Sequence, residues 1–180
     1  MKYRGHLENI SGNLFEGAVN AYTGQAGKGL DIIDRETRDF PEIAARWSFN
    51  HISWCVIGDE NYGEGSSREH AAMEPRYRGC QVIFARSFAR IHETNLKKQG
   101  IVPLTFEDPS IYDQIEETDV ISVRGMPPVP DQPIHCLLAN QKGKEIPFTA
   151  LHTFSKEQVQ WFKAGSALNV VRQKVTKAKK

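Results

Sequence analysis

Gly58-Asp59-Glu60-Asn61-Tyr62-Gly63-Glu64-Gly65-Ser66-Ser67-Arg68-Glu69-His70 is the stretch on which the fold turns. It follows the apolar run Trp54-Cys55-Val56-Ile57, whose composition suits a buried strand, and leads into Ala71-Ala72-Met73, which suits a helix. Three closely spaced glycines allow a sharp turn and a close backbone approach to a ligand. Ser66 and Glu69 have capping-box spacing, which puts Ser66 at an N-cap and Ser67 and Arg68 in the first helical turn. Free N–H groups at such a helix start attract anions, and a guanidinium at Arg68 can grip a carboxylate with two parallel hydrogen bonds. Two readings remain open at this level: an anion site holding two hydroxyls, or a helix cap with a surface arginine beside it.

The flanking chain supports a parallel sheet. Ile52 to Ile57 is expected as a strand covered on both faces, followed by strands at Gln81–Ala85 and Ile101–Phe106. The helix between the last two is expected from Phe88 to Gln99, with Phe88, Ile91 and Leu96 inward and Gly100 as the stop. Strands alternating with helices imply parallel neighbours, and ligands collect beyond the carboxyl ends of such strands, where the glycine loop falls. Further on, Val120–Val123, Ile134–Leu138 and Ile146–Thr149 are expected as short strands of a smaller, mainly antiparallel sheet packed on the first.

The ends are simpler. Residues 2–13 lack periodicity and are expected as a loop or extended lead-in, and Pro41 marks an early position of a helix ending near Asn50. Ser155 with Gln158 forms a second capping box, and Val159, Phe162, Ala167, Leu168 and Val171 supply an inward face broken at Gly165-Ser166. The basic tail 174–180 is expected to be disordered. The fold class is therefore α/β, a single domain over 1–180 with a central, mainly parallel sheet, flanking helices and a smaller antiparallel sheet.

With 23 basic and 22 acidic side chains, a net charge of +1 provides no broad field for nucleic acid or an anionic membrane. No run of apolar residues approaches a membrane span. The cysteines Cys55, Cys80 and Cys136 are far apart and form no metal-ligand spacing, so no cofactor is expected on this chain, and His135 in its strand is expected to be structural.

At Gly63-Glu64-Gly65-Ser66-Ser67-Arg68-Glu69-His70-Ala71-Ala72 the chain resembles the aconitase superfamily, in particular its C-terminal swivel domain of the mitochondrial type. The resemblance extends to Tyr3–Ser11, to Ser87–Gly100, to His152-Thr153-Phe154 and to Trp161–Asn169, blocks that span nearly the whole chain. It implies interconversion of citrate and isocitrate through cis-aconitate. By the same resemblance Ser66 is the base that removes the substrate proton, while Ser67, Arg68 and Arg4 contact the substrate. A 4Fe-4S cluster is then expected in partner domains or a large subunit, and this chain alone is expected to be inactive. The resemblance also implies the mitochondrial matrix, although no transit segment is evident in the chain. Two alternatives stand beside it: a non-catalytic remnant or anion-binding regulatory module, and the small subunit of a split hydro-lyase of the isopropylmalate type.

Overall fold

A computed structural model describes residues 6–65 and 69–178. Its centre is a six-stranded sheet built from β3 (Cys55–Gly58), β4 (Val82–Ala85), β5 (Val102–Phe106), β6 (Val120–Arg124), β7 (Ile134–Ala139) and β8 (Glu145–Leu151). The strands lie in the order β3-β4-β5-β8-β7-β6. β3, β4 and β5 run parallel, with Cys55 opposite Val82 and Val82 opposite Val102. The helices α3 (His70–Tyr77) and α4 (Arg90–Lys98) provide their connections.

The expected fold class holds, with two adjustments. The three late strands do form an antiparallel meander, but β8 pairs antiparallel with β5 through Thr105–Leu151 and Phe106–Ala150. They therefore extend the main sheet instead of forming a layer of their own. The smaller antiparallel sheet is a pair the sequence reading did not anticipate, β1 (Lys28–Leu30) with β2 (Thr37–Asp39). Its strands are short and polar and carry little hydrophobic alternation, which is why the pattern did not reveal them.

β4 is buried along Ile83, Phe84 and Ala85, as expected for a central strand. Because successive side chains alternate faces, Phe84 joins one core cluster with Leu104, Phe106, Phe148 and Val159, while Ile83 joins another with Ala72, Cys80, Leu96 and Ile101. Phe84 and Phe106 stack with ring centroids 5.8 Å apart, and Phe148 lies 5.9 Å from Phe84. β3 departs from expectation: it starts at Cys55, occupies a sheet edge, and is only half-buried over Cys55, Val56 and Ile57.

Other boundaries also moved. The lead-in folds into α1 (Leu7–Ile10) and a 3-10 turn at Ser11–Asn13, because Ile10 and Leu14 are apolar enough to be buried. α2 (Phe40–Phe49) carries its proline in the first turn and ends at Asn50, as the sequence implied. Buried Asp31 ties α2 to the β1–β2 pair by accepting from Arg46 Nε at 2.6 Å, Trp47 Nε1 at 2.8 Å and the Ile33 N–H at 3.0 Å. Burial alone would raise the Asp31 carboxyl, but those donors hold it below the usual range.

At the end of the chain, Ser155 and Gln158 make both bonds of the capping box that opens α5 (Lys156–Ala164). Gly165 ends α5 in the left-handed region at φ 86°, and Ser166 Oγ accepts from the Asn169 N–H at the start of α6 (Ala167–Ala178). α6 contradicts the expected inward face: Leu168 and Val171 are exposed, and α6 buries no residue. The described part of the basic stretch 174–180 is helical.

Candidate functional site at the carboxyl edge of the parallel strands

β3, β4 and β5 all end on one edge, and the segments leaving them meet there. Beyond Gly58 the chain turns through Asp59, whose Oδ1 accepts from the Glu60 N–H at 2.9 Å, and Asn61 adopts a left-handed φ of 53°. The loop is then stitched to the segment after β4. The Asn61 N–H donates to Ser87 Oγ at 2.8 Å, the Tyr62 N–H to the Ser87 carbonyl at 2.9 Å, and the Ala89 N–H to the Tyr62 carbonyl at 3.0 Å. Tyr62 and Phe88 thereby form a parallel bridge beyond the ends of β3 and β4.

Two glycines of the motif are explained by close approach. A Cβ on Gly58 would lie 2.4 Å from the Tyr62 ring, and one on Gly63 would lie 2.2 Å from the His92 imidazole. Gly63 also has φ 84° and Gly65 φ 115°, a region where a side chain is strained. His92 is buried, and that burial holds its imidazole below the ordinary histidine pKa. Burial likewise raises the Tyr62 hydroxyl, with the Cys80 thiol adding to the effect.

Arg86 completes the edge, and the sequence reading had not singled it out. Its Nη2 donates to Asp113 Oδ1 at 2.7 Å, its Nε lies 3.6 Å from Asp59 Oδ1, and its guanidinium sits 4.4 Å from the centre of the Tyr112 ring. It thus links the segments after β3, β4 and β5. The available signal was a charged residue directly after the apolar run Val82–Ala85, at the end of a parallel strand.

Ser66, Ser67, Arg68 and Arg4 lie outside the described residues. The capping-box reading of Ser66 therefore rests on its partner alone. Glu69 occupies the N-cap of α3, three positions later in the helix start than expected, and its Oε1 accepts from Gln99 Nε2 at 2.8 Å. Pro75 lies inside α3, which runs on to Tyr77. α1 packs against α3, so the chain that follows Arg4 lies beside the helix that follows Arg68.

The thiols do not suit a metal cluster. Cys80 and Cys136 are buried and Cys55 half-buried, and burial pushes the Cys55 thiol up to about 11 and the Cys136 thiol up to about 12. Among the described residues no group of three or more His, Cys, Asp or Glu side chains could hold a metal ion. His135 is exposed on β7. No helix among the described residues is long and apolar enough to cross a membrane.

Comparison with known proteins agrees with the motif. The model of the aconitase C-terminal domain matches residues 1–109. The chain is 48% identical over 180 residues to the probable mitochondrial aconitate hydratase of Caenorhabditis elegans, covering 99% of this chain and 23% of that protein. It is 50% identical over 182 residues to the one from Dictyostelium discoideum, covering 100% and 23%. To the mitochondrial aconitate hydratase of Saccharomyces cerevisiae it is 48% identical over 173 residues, covering 96% and 22%. A solved 3-isopropylmalate dehydratase from Methanocaldococcus jannaschii is 22% identical, covers 69% of this chain and 67% of its own, and gives a TM-score of 0.48. The chain thus spans under a quarter of the length of these aconitate hydratases, and it belongs to the aconitase C-terminal domain family.

Proposed function

We propose that this chain acts as the swivel domain of a mitochondrial-type aconitate hydratase, interconverting citrate and isocitrate through cis-aconitate in the mitochondrial matrix together with domains that carry a 4Fe-4S cluster. The observation that carries the reading is the glycine turn at Gly63–Gly65, held at the carboxyl edge of parallel strands in a chain of this family and leading directly into Ser66-Ser67-Arg68. Ser66 serves as the base, and Ser67, Arg68 and Arg4 bind the substrate.

The chemistry suits those residue types. A tricarboxylate calls for several guanidinium forks, which Arg4 and Arg68 supply in part. A serine hydroxyl is a weak acid, and it removes a proton only where cationic groups and N–H donors stabilise its anion. Arg68 lies next but one to Ser66 in sequence and can provide such a charge. The three thiols of this chain do not fit the cluster, whose chemistry of assisting the departing hydroxyl belongs to the partner domains.

The test is hydration of cis-aconitate, followed by its ultraviolet absorbance under anaerobic conditions. This chain is assayed alone and then mixed with the remaining, cluster-loaded domains of the Saccharomyces cerevisiae aconitate hydratase. Activity in the mixture alone is the expected result. An inactive mixture, where the yeast enzyme's own C-terminal domain restores turnover, would overturn the reading.

A further inference from the structure

We propose that Tyr62 is a positioning residue that anchors the Gly63–Gly65 turn, and that turnover depends on this anchor; this rests on the functional reading of Ser66, Ser67 and Arg68 given above. The argument begins with what holds the loop. Between Gly58 and Gly65 the backbone leaves the edge strand β3, so the ladder between β3 and β4 no longer fixes it. Grip returns at Tyr62, where the N–H and carbonyl both pair with the segment after β4. Beyond it, a Cβ on Gly65 would meet no described residue within 4 Å, so among the described residues nothing packs on that end of the turn.

The Tyr62 side chain fixes that grip from three sides. Its ring meets Phe88 edge-on, with centroids 5.8 Å apart, and lies tilted against His92 at 5.5 Å. It also lies across the end of β3, so close to Gly58 that no side chain fits there. Gly63 in turn rests on the His92 imidazole. Phe88 and His92 flank the start of α4, so the turn is referenced to the second crossover helix as well as to its own strand. Misplacing a reacting group by roughly 1 Å costs on the order of a hundredfold in rate, so an anchor four positions before Ser66 in the chain bears directly on turnover.

Three variants test the proposal: Tyr62→Leu, which removes the ring; Tyr62→Phe, which keeps it; and Ser87→Ala, which removes the acceptor of the Asn61 N–H without touching the core. Amide hydrogen exchange on the full chain is the first readout. Tyr62→Leu and Ser87→Ala should speed exchange at residues 61–65 about tenfold or more while β4 and β5 stay protected, and Tyr62→Phe should match the wild type. In the assembly with the yeast domains, Tyr62→Leu should lower kcat about a hundredfold with a smaller change in KM, and Tyr62→Phe should restore it.

Unchanged exchange at residues 61–65, or an equal loss of protection across β4 and β5, would overturn the anchoring role. Should Tyr62→Leu fail to fold, Ser87→Ala decides by the same readout. Faster exchange at the turn with kcat unaltered in an active assembly would sink the link to catalysis. An inactive wild-type assembly would instead count against the function assigned to Ser66, Ser67 and Arg68, while the exchange data still decide whether Tyr62 holds the turn.

Discussion

The Lys97 ammonium lies 2.9 Å from Glu93 Oε1, one helical turn earlier on α4, and Lys97 is only 3% exposed. The same nitrogen donates to the Thr153 carbonyl at 3.0 Å and to Thr153 Oγ1, and stands 5.2 Å from the centre of the Phe154 ring. One lysine therefore fastens α4 to the segment between β8 and α5.

Removing it should be costly, because a half-buried carboxylate keeps only the Thr153 hydroxyl of its two donors and the Thr153 carbonyl loses the ammonium. Lys97→Ala should lower stability by about 3–5 kcal/mol, the range for breaking a buried charge pair, and Lys97→Met should lose less because it refills the space. Urea unfolding of both variants provides the check. Equal losses would show that the charge matters and the volume does not.

Gly100 stands against the end of α5. A Cβ there would lie 2.3 Å from the Gly165 carbonyl oxygen, and the backbone has φ 78°. Gly100→Ala combines left-handed strain with overpacking against backbone, so a loss of about 2–4 kcal/mol is expected by thermal or urea unfolding. A near-neutral result would mean that α5 slides away from α4 at little cost.

Acid should weaken the fold before any carboxylate network fails. Burial depresses the pKa of both His92 and His152 below 6.5, so between that value and the depressed ones the unfolded chain binds more protons than the folded chain. Stability from this source is complete above about pH 6.5 and falls as pH drops through the depressed values. Glu74, raised by burial, opposes the trend, while Asp31, Asp34 and Asp108, all lowered, are lost only below about pH 4. The melting temperature should be lower at pH 5 than at pH 7, and the gap should narrow in a His92→Phe, His152→Gln double variant. A gap of unchanged size would place the acid sensitivity in other groups.

The proposed chemistry predicts a split between binding and turnover. In the assembly with the yeast domains, Ser66→Ala should cut kcat by about a thousandfold or more while KM changes little, since the base acts in the transition state. Arg68→Lys should raise KM, because a point charge cannot replace a bidentate fork. A Ser66→Ala variant that instead melts early with normal turnover would give Ser66 a structural role and nothing more.

The sequence by itself determined the parallel β3-β4-β5 core, the glycine turn, the α5 capping box and the α5–α6 break. These depend on short-range rules: apolar runs, glycine conformations and side chains that bond their own backbone. It also carried the family, through motifs spread along nearly the whole chain. Tertiary structure alone decided what crosses between elements. Composition pointed Ile91 inward on α4, yet Ile91 is 61% exposed, while His92, Asn95 and Lys97 are buried there. The reason is partners distant in sequence: Tyr62 and Gly63 pack on His92, and Thr153 and Phe154 receive Lys97. The β5–β8 pairing, the edge position of β3 and the place of Arg86 between Asp59 and Asp113 have the same origin. Each depends on groups that local periodicity does not relate, so folding alone brings them together.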